Sequence, residues 1–97
     1  MRCEKLTAIL AEHKQQLKQK FHVKEIGVFG SFVRGQETKK SDIDILVEFN
    51  RPVGLFAFMD LEEYLSMILK AKKIDLVTKK ALKPHIGAHI LKEVIYA

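Results

Sequence analysis

The chain has one cysteine, Cys3, in 97 residues. That excludes an intramolecular disulfide and suits a reducing cytoplasm, the expected location. A cysteine nucleophile would need a partner base, and spacing assigns none. No run approaches the ~18 consecutive apolar residues of a membrane span. The opening MRCEKLTAIL carries Glu4 and no long apolar core, so no signal peptide is expected. Internal repeats and low-complexity linkers are also missing. There is no helix-turn-helix, no RNA-binding motif and no basic stripe interleaved with aromatics. Direct DNA binding is therefore not indicated, and an autorepressor role would need salt-sensitive promoter binding to support it.

What is present is ordinary globular composition, 47% hydrophobic and 30% charged. It suffices for one domain over residues 1–97 with one modest core. The net charge of +5 is spread along the chain from Lys14 to Lys83. It reads first as solubility and helix-end electrostatics. Attraction to phosphates or an acidic partner is the functional alternative.

Leu6, Ile9, Leu10 and Leu17 recur at a helical period and predict a helix over 3–20. KEIGVF, 24–29, predicts a strand with Ile26 and Val28 on one face. Ser31 to Arg34 fit one helical turn ended by Gly35, and QETKKS, 36–41, a polar loop. Residues 42–49 predict a second strand. Leu55 to Leu69 predict a helix facing inward through Phe58, Leu61, Leu65 and Ile68. IDLVT, 74–78, predicts a third strand. Pro84 suits the first position of a last helix, with Ile86, Ile90 and Val94 as its core stripe. This order is that of an α/β fold, a small sheet with helices packed on it. The long helix after the second strand allows a parallel pair with the third by a right-handed crossover. The dozen residues between the first two strands fit either direction.

Gly30-Ser31 follows a strand, where a turn exposes backbone N–H groups that bind anions. A serine N-cap is the bland reading of the same pair. Asp42 and Asp44 lie two apart, so they share one strand face, while Ile43, Ile45 and Val47 take the other. Two such carboxylates are costly unless a cation joins them. Mg²⁺ takes a few carboxylate oxygens and completes its shell with water and phosphate. The bland alternative is a wet strand edge. Asp75 interrupts an apolar strand between Ile74 and Leu76. Beside the Asp42–Asp44 strand it would complete a three-carboxylate cluster, and two metals bridged by such a cluster clamp the attacking and leaving oxygens of an in-line phosphoryl displacement. Pairing with Lys72 or Lys73 is its surface alternative.

Ten residues separate Ser31 from Asp42, and the pattern G-S-x-x-R-G, D-x-D and a later strand aspartate resembles the nucleotidyltransferase superfamily that includes DNA polymerase β. Gly30, Ser31, Arg34, Gly35, Asp42, Asp44 and Asp75 carry the match. SDIDILVEF, GLFAFMDLEEYL, KKIDLVT and ALKPHI extend it to the minimal nucleotidyltransferase (MNT) proteins, over nearly the whole chain. The resemblance implies a polymerase β-like fold with a small mixed β-sheet. It implies Mg²⁺-dependent transfer of AMP from ATP, with a HEPN-domain ribonuclease toxin as partner and a toxin tyrosine as acceptor. The chain would then be the antitoxin. By match, Asp42, Asp44 and Asp75 would be catalytic and hold metal, with Asp75 activating the acceptor hydroxyl. Gly30, Ser31 and Arg34 would bind the nucleotide, unless Arg34 braces the fold on a carboxylate. An antitoxin that works by docking alone and a small-molecule nucleotidyltransferase are the competing functions.

The chain leaves little beyond a catalytic core, so a macromolecular acceptor bringing its own binding surface is expected. LFAFM, 55–59, is apolar nearly all round and reads as core, with a partner or self-association surface as the alternative. His85 and His89, with Glu93 a turn further, have a zinc-like spacing but read as the wet edge of the last helix. Lys39 and Lys40 could touch phosphate, the partner or only water.

Overall fold

The computed structural model describes residues 2–36 and 42–97. Lys39, Lys40 and most of the polar loop lie outside the described residues. The expected first helix is two, α1 (Cys3–Glu12) and α2 (Lys14–Phe21). The break falls at His13, whose ring Nδ1 and backbone N–H both reach the Ile9 carbonyl, at 2.9 and 3.2 Å. A side chain that competes for a helix carbonyl loosens the turn it sits in. Then follow β1 (Val23–Phe29), α3 (Ser31–Arg34), β2 (Ile43–Phe49), α4 (Leu55–Leu69), β3 (Ile74–Thr78), a 3₁₀ turn (Lys79–Ala81), α5 (Pro84–Glu93) and β4 (Ile95–Tyr96).

The sheet is mixed, in the order β3-β2-β1-β4. β2 and β3 are parallel, as the intervening helix allows, and β1 and β2 are antiparallel. β4 was not expected, since two residues carry no readable period. It pairs with β1 at Gly27 and Val28. A Cβ on Gly27 would lie 2.7 Å from Val94 Cγ2, so the glycine admits this close approach.

The alternation in β2 sorts the two faces. Ile43, Ile45 and Val47 are buried with Ile26, Val28 and Leu76 against Leu6, Leu10, Leu17, Leu61, Leu65 and Leu69. Asp44 and Leu46 point the other way. Burial of this one apolar face is the main force holding α1, α2 and α4 on the sheet.

Two expectations about burial need correction. Most of the LFAFM run is not core: Leu55 is 70% and Phe56 81% exposed, and only Phe58 packs, partly buried, against the core cluster. The fully buried stripe of α4 begins a turn later, at Leu61, and continues through Leu65 and Leu69. Ile86 is likewise 61% exposed rather than part of a stripe. α5 instead turns Gly87 inward against Leu82, where a Cβ would come within 2.9 Å. Among the described residues no helix is long and apolar enough to cross a membrane.

Candidate active site

The site forms where β1 ends and β2 begins. Antiparallel register sets Phe29 opposite Asp44, and parallel register sets Asp44 beside Asp75. Neighbouring strands run about 4.8 Å apart, so the two aspartates share a face at close range. Asp42 stands just before β2 and is exposed, as is Asp75, whereas Asp44 is half-buried. The Asp44 carboxyl is pushed up from 3.8 to about 6. Burial is the largest cause, followed by the charges of Asp75 and Asp42 and a hydrogen bond to Asp75, with Arg34 opposing. Burial disfavours the charged form of a carboxyl, and neighbouring like charges disfavour it further.

Among the described residues no three acidic, histidine or cysteine side chains close around a cation by themselves. Asp44 and Asp75 form a pair, with Asp42 at its rim. An open set of hard carboxylate oxygens fits Mg²⁺, which takes its remaining ligands from water and phosphate.

The chain turns at Gly30, with φ 80° and ψ −150°, a region reserved almost wholly for glycine. Space demands glycine there too, because a Cβ would lie 2.8 Å from Asp44 Cγ. The turn therefore sits directly on the metal-ligand candidate. Gly30, not Ser31, is the N-cap of α3, and no side chain makes the cap bond. The bland reading of Ser31 as an N-cap does not hold, and its hydroxyl stands at the first helical position.

Arg34 takes the bracing option. Its Nη1 lies 2.7 Å from Glu93 Oε1, and its Nε donates to Gln36 Oε1 at 3.1 Å. The same Glu93 accepts the Gly30 N–H through Oε2 at 2.9 Å. Burial would raise the Glu93 pKa, but the Gly30 N–H, the Arg34 guanidinium and His89 together hold it below the usual range. In the sequence Glu93 stands out only as a neighbour of His85 and His89. Both histidines are exposed, and Glu93 faces the turn instead of a zinc site. One signal was available: an acid in the last turn of a helix opposes the macrodipole and calls for a compensating partner.

A cavity of about 790 Å³ lies at the other end of β2, between Phe49, Arg51, Val53, Phe58 and Lys79. It does not include the aspartates.

The nucleotidyltransferase domain family matches residues 10–97. The protein adenylyltransferase MntA of Thermococcus cleftensis is 47% identical over 93 residues, spanning 96% of this chain and 93% of MntA. A solved structure provisionally described as a minimal nucleotidyltransferase superposes with a TM-score of 0.79 at 30% identity, covering 98% of this chain and 95% of the other. The fold is also shared with a chain of the complex between tri-AMPylated Shewanella oneidensis HEPN toxin and MNT antitoxin. There the TM-score is 0.64 at 18% identity, over 93% of this chain and 70% of that one.

Proposed function

The chain belongs to the nucleotidyltransferase domain family, and from that membership we propose that it is a protein adenylyltransferase and antitoxin, moving AMP from ATP to a hydroxyl, that of a tyrosine, on a HEPN-type toxin. We read residues 1–97 as one minimal nucleotidyltransferase domain working in the cytoplasm. The observation that carries the reading is the register of Asp44 beside Asp75, directly against the Gly30 turn. Its closeness to MntA of Thermococcus cleftensis supports protein as the acceptor class.

The reaction joins the acceptor oxygen to the α-phosphorus of ATP and breaks the bond to the β-phosphate oxygen, releasing pyrophosphate. Asp42, Asp44 and Asp75 would hold Mg²⁺, which when bound neutralises triphosphate charge and stabilises the attacking and leaving oxygens. Asp75, exposed beside Asp44, would take the acceptor hydroxyl proton. Gly30 and Ser31 would border the triphosphate: the glycine lets the turn close on Asp44, and the Ser31 hydroxyl would donate to a phosphate oxygen. Arg34, fixed by Glu93, contributes positive charge next to Asp44.

Labelled ATP, Mg²⁺ and the protein encoded beside this one provide the test. The partner should gain label, and Asp44→Ala should prevent it. An unlabelled partner, or an Asp44→Ala variant that still transfers, would refute the proposal. A variant that loses transfer yet still neutralises the toxin would favour docking, a role for which the exposed Leu55 and Phe56 provide an apolar face.

A further inference from the structure

We propose that Glu93 is a positioning residue for nucleotide transfer, its carboxylate clamping the Gly30 turn and the Arg34 side chain into one fixed arrangement against Asp44. The inference rests on the transferase reading above and adds a part that the aspartate and glycine motifs do not contain.

Glu93 lies 63 residues from Gly30 and 59 from Arg34 in sequence, yet each of its carboxylate oxygens has one of them as partner. Both bonds are charge-assisted, the stronger class of hydrogen bond. The bond to the Gly30 N–H is part-buried, whereas the Arg34 pair lies at the surface, with the Arg34 side chain half exposed. Contact then continues to the acidic pair, because Gly30 packs on the Asp44 carboxylate too closely to admit a Cβ. Glu93, Gly30 and Asp44 thus form a continuous chain of contacts from the end of α5 to the reacting centre. The clamp is anchored on its own side as well. Two residues on, Ile95 and Tyr96 pair with Val28 and Gly27, which fixes the end of α5 to the strand that leads into the turn.

The geometry explains why an acid stands in the last turn of α5. Its charge opposes the helix dipole, and the Gly30 N–H and the Arg34 guanidinium compensate it. Without Glu93, Arg34 would keep only its exposed bond to the nearby Gln36 among the described residues, and the Gly30 N–H would lose its partner on α5. In-line transfer is sensitive to such looseness, since a displacement of about 1 Å can cost about 10²-fold in rate. A different role for the carboxylate, holding the place of a phosphate until ATP expels it, predicts the opposite sign: removal would tighten nucleotide binding.

Glu93→Ala and Glu93→Gln separate these roles, with folding checked by circular dichroism. In metal-free protein, amide exchange at Gly30 should rise about tenfold or more in Glu93→Ala as its acceptor is lost. Calorimetry with Mg-ATP should show dissociation constants about tenfold weaker, and AMP transfer to the partner should fall about 10²-fold in kcat. Glu93→Gln keeps an oxygen for the Gly30 N–H but loses the ion pair, so it should fall between the two. It also carries the test if Glu93→Ala does not fold. Arg34→Ala combined with Glu93→Ala should be scarcely worse than Glu93→Ala alone, as expected of groups acting as one unit. Variants that bind Mg-ATP as tightly as wild type or more so, or that lose thermal stability with KM and kcat unchanged, would overturn the proposal. Folded wild-type protein that fails to bind Mg-ATP would refute the nucleotide reading and this inference with it. Normal wild-type binding with unaffected variants would refute the inference alone.

Discussion

Asp44→Asn should make the metal-free protein more stable while it abolishes transfer. Asp44 is half-buried next to Asp75, and its pKa is raised from 3.8 to about 6, first by burial and then by the neighbouring carboxylates. A raised carboxyl pKa means that the folded chain binds the proton more tightly than the unfolded chain. The stability this contributes is complete below the unfolded value of 3.8 and is lost as pH rises through about 6. The full rise corresponds to about 3 kcal/mol, and solvent screening at a half-buried site reduces it to about 1–2 kcal/mol. Asparagine never ionises, and its amide can donate to Asp75. The variant should therefore gain about 1–2 kcal/mol over wild type above pH 7 and almost nothing near pH 4. For a domain of this size that is about 5–10 °C in Tm. Thermal unfolding followed by circular dichroism in chelator, from pH 4 to pH 8, reads it directly. Mg²⁺ with ATP should reverse the order, raising the Tm of wild type and not of the variant, because only a folded state that binds the ligand is stabilised. A variant no more stable than wild type at pH 8, or a gain that does not change with pH, would refute the reasoning.

Gly30→Ala should remove activity and destabilise the fold by about 1–3 kcal/mol, since the new Cβ meets the Asp44 carboxylate and the backbone sits in a glycine-only region. Urea denaturation together with the labelled-ATP assay checks both effects. Phe56→Ser should change stability by no more than about 0.5 kcal/mol, because a ring that is 81% exposed loses little on folding. A Tm drop of several degrees would mean that the ring is packed after all.

Much of the site could be read in the sequence because strand alternation is a strict rule. Placing Ile43, Ile45 and Val47 in the core forces Asp42 and Asp44 to the other face, whatever else the chain does. Asp75 follows the same rule in β3, and a helix-length connection then brings the two strands side by side in parallel. Helical patterns proved less decisive. Period shows which way a residue points but not how far the covering layer extends, so Phe56 and Ile86 were expected in the core and are exposed. The break at His13 depends on a single carbonyl shared by a ring and a backbone N–H, a contact invisible to periodicity.

Glu93 shows where the limit lies. Its partners are glycine and arginine residues on the far side of the sequence, and neither apolar period nor motif spacing links an acid at a helix end to a turn 63 residues earlier. Such a link exists only once the sheet is assembled, because β4 brings the end of α5 onto β1 just ahead of the turn. Asp44 and Asp75 come together through a local rule, strand alternation in two paired strands, which is why they can be recognised in sequence. The part that holds the turn against them is set by tertiary structure, so its residue types carry no local signature beyond a charge placed against the helix dipole. In a chain this small, the last ten residues then have a double task, closing the sheet edge and fixing the turn. A substitution there that weakens β4 pairing should loosen Gly30 even with Glu93 intact.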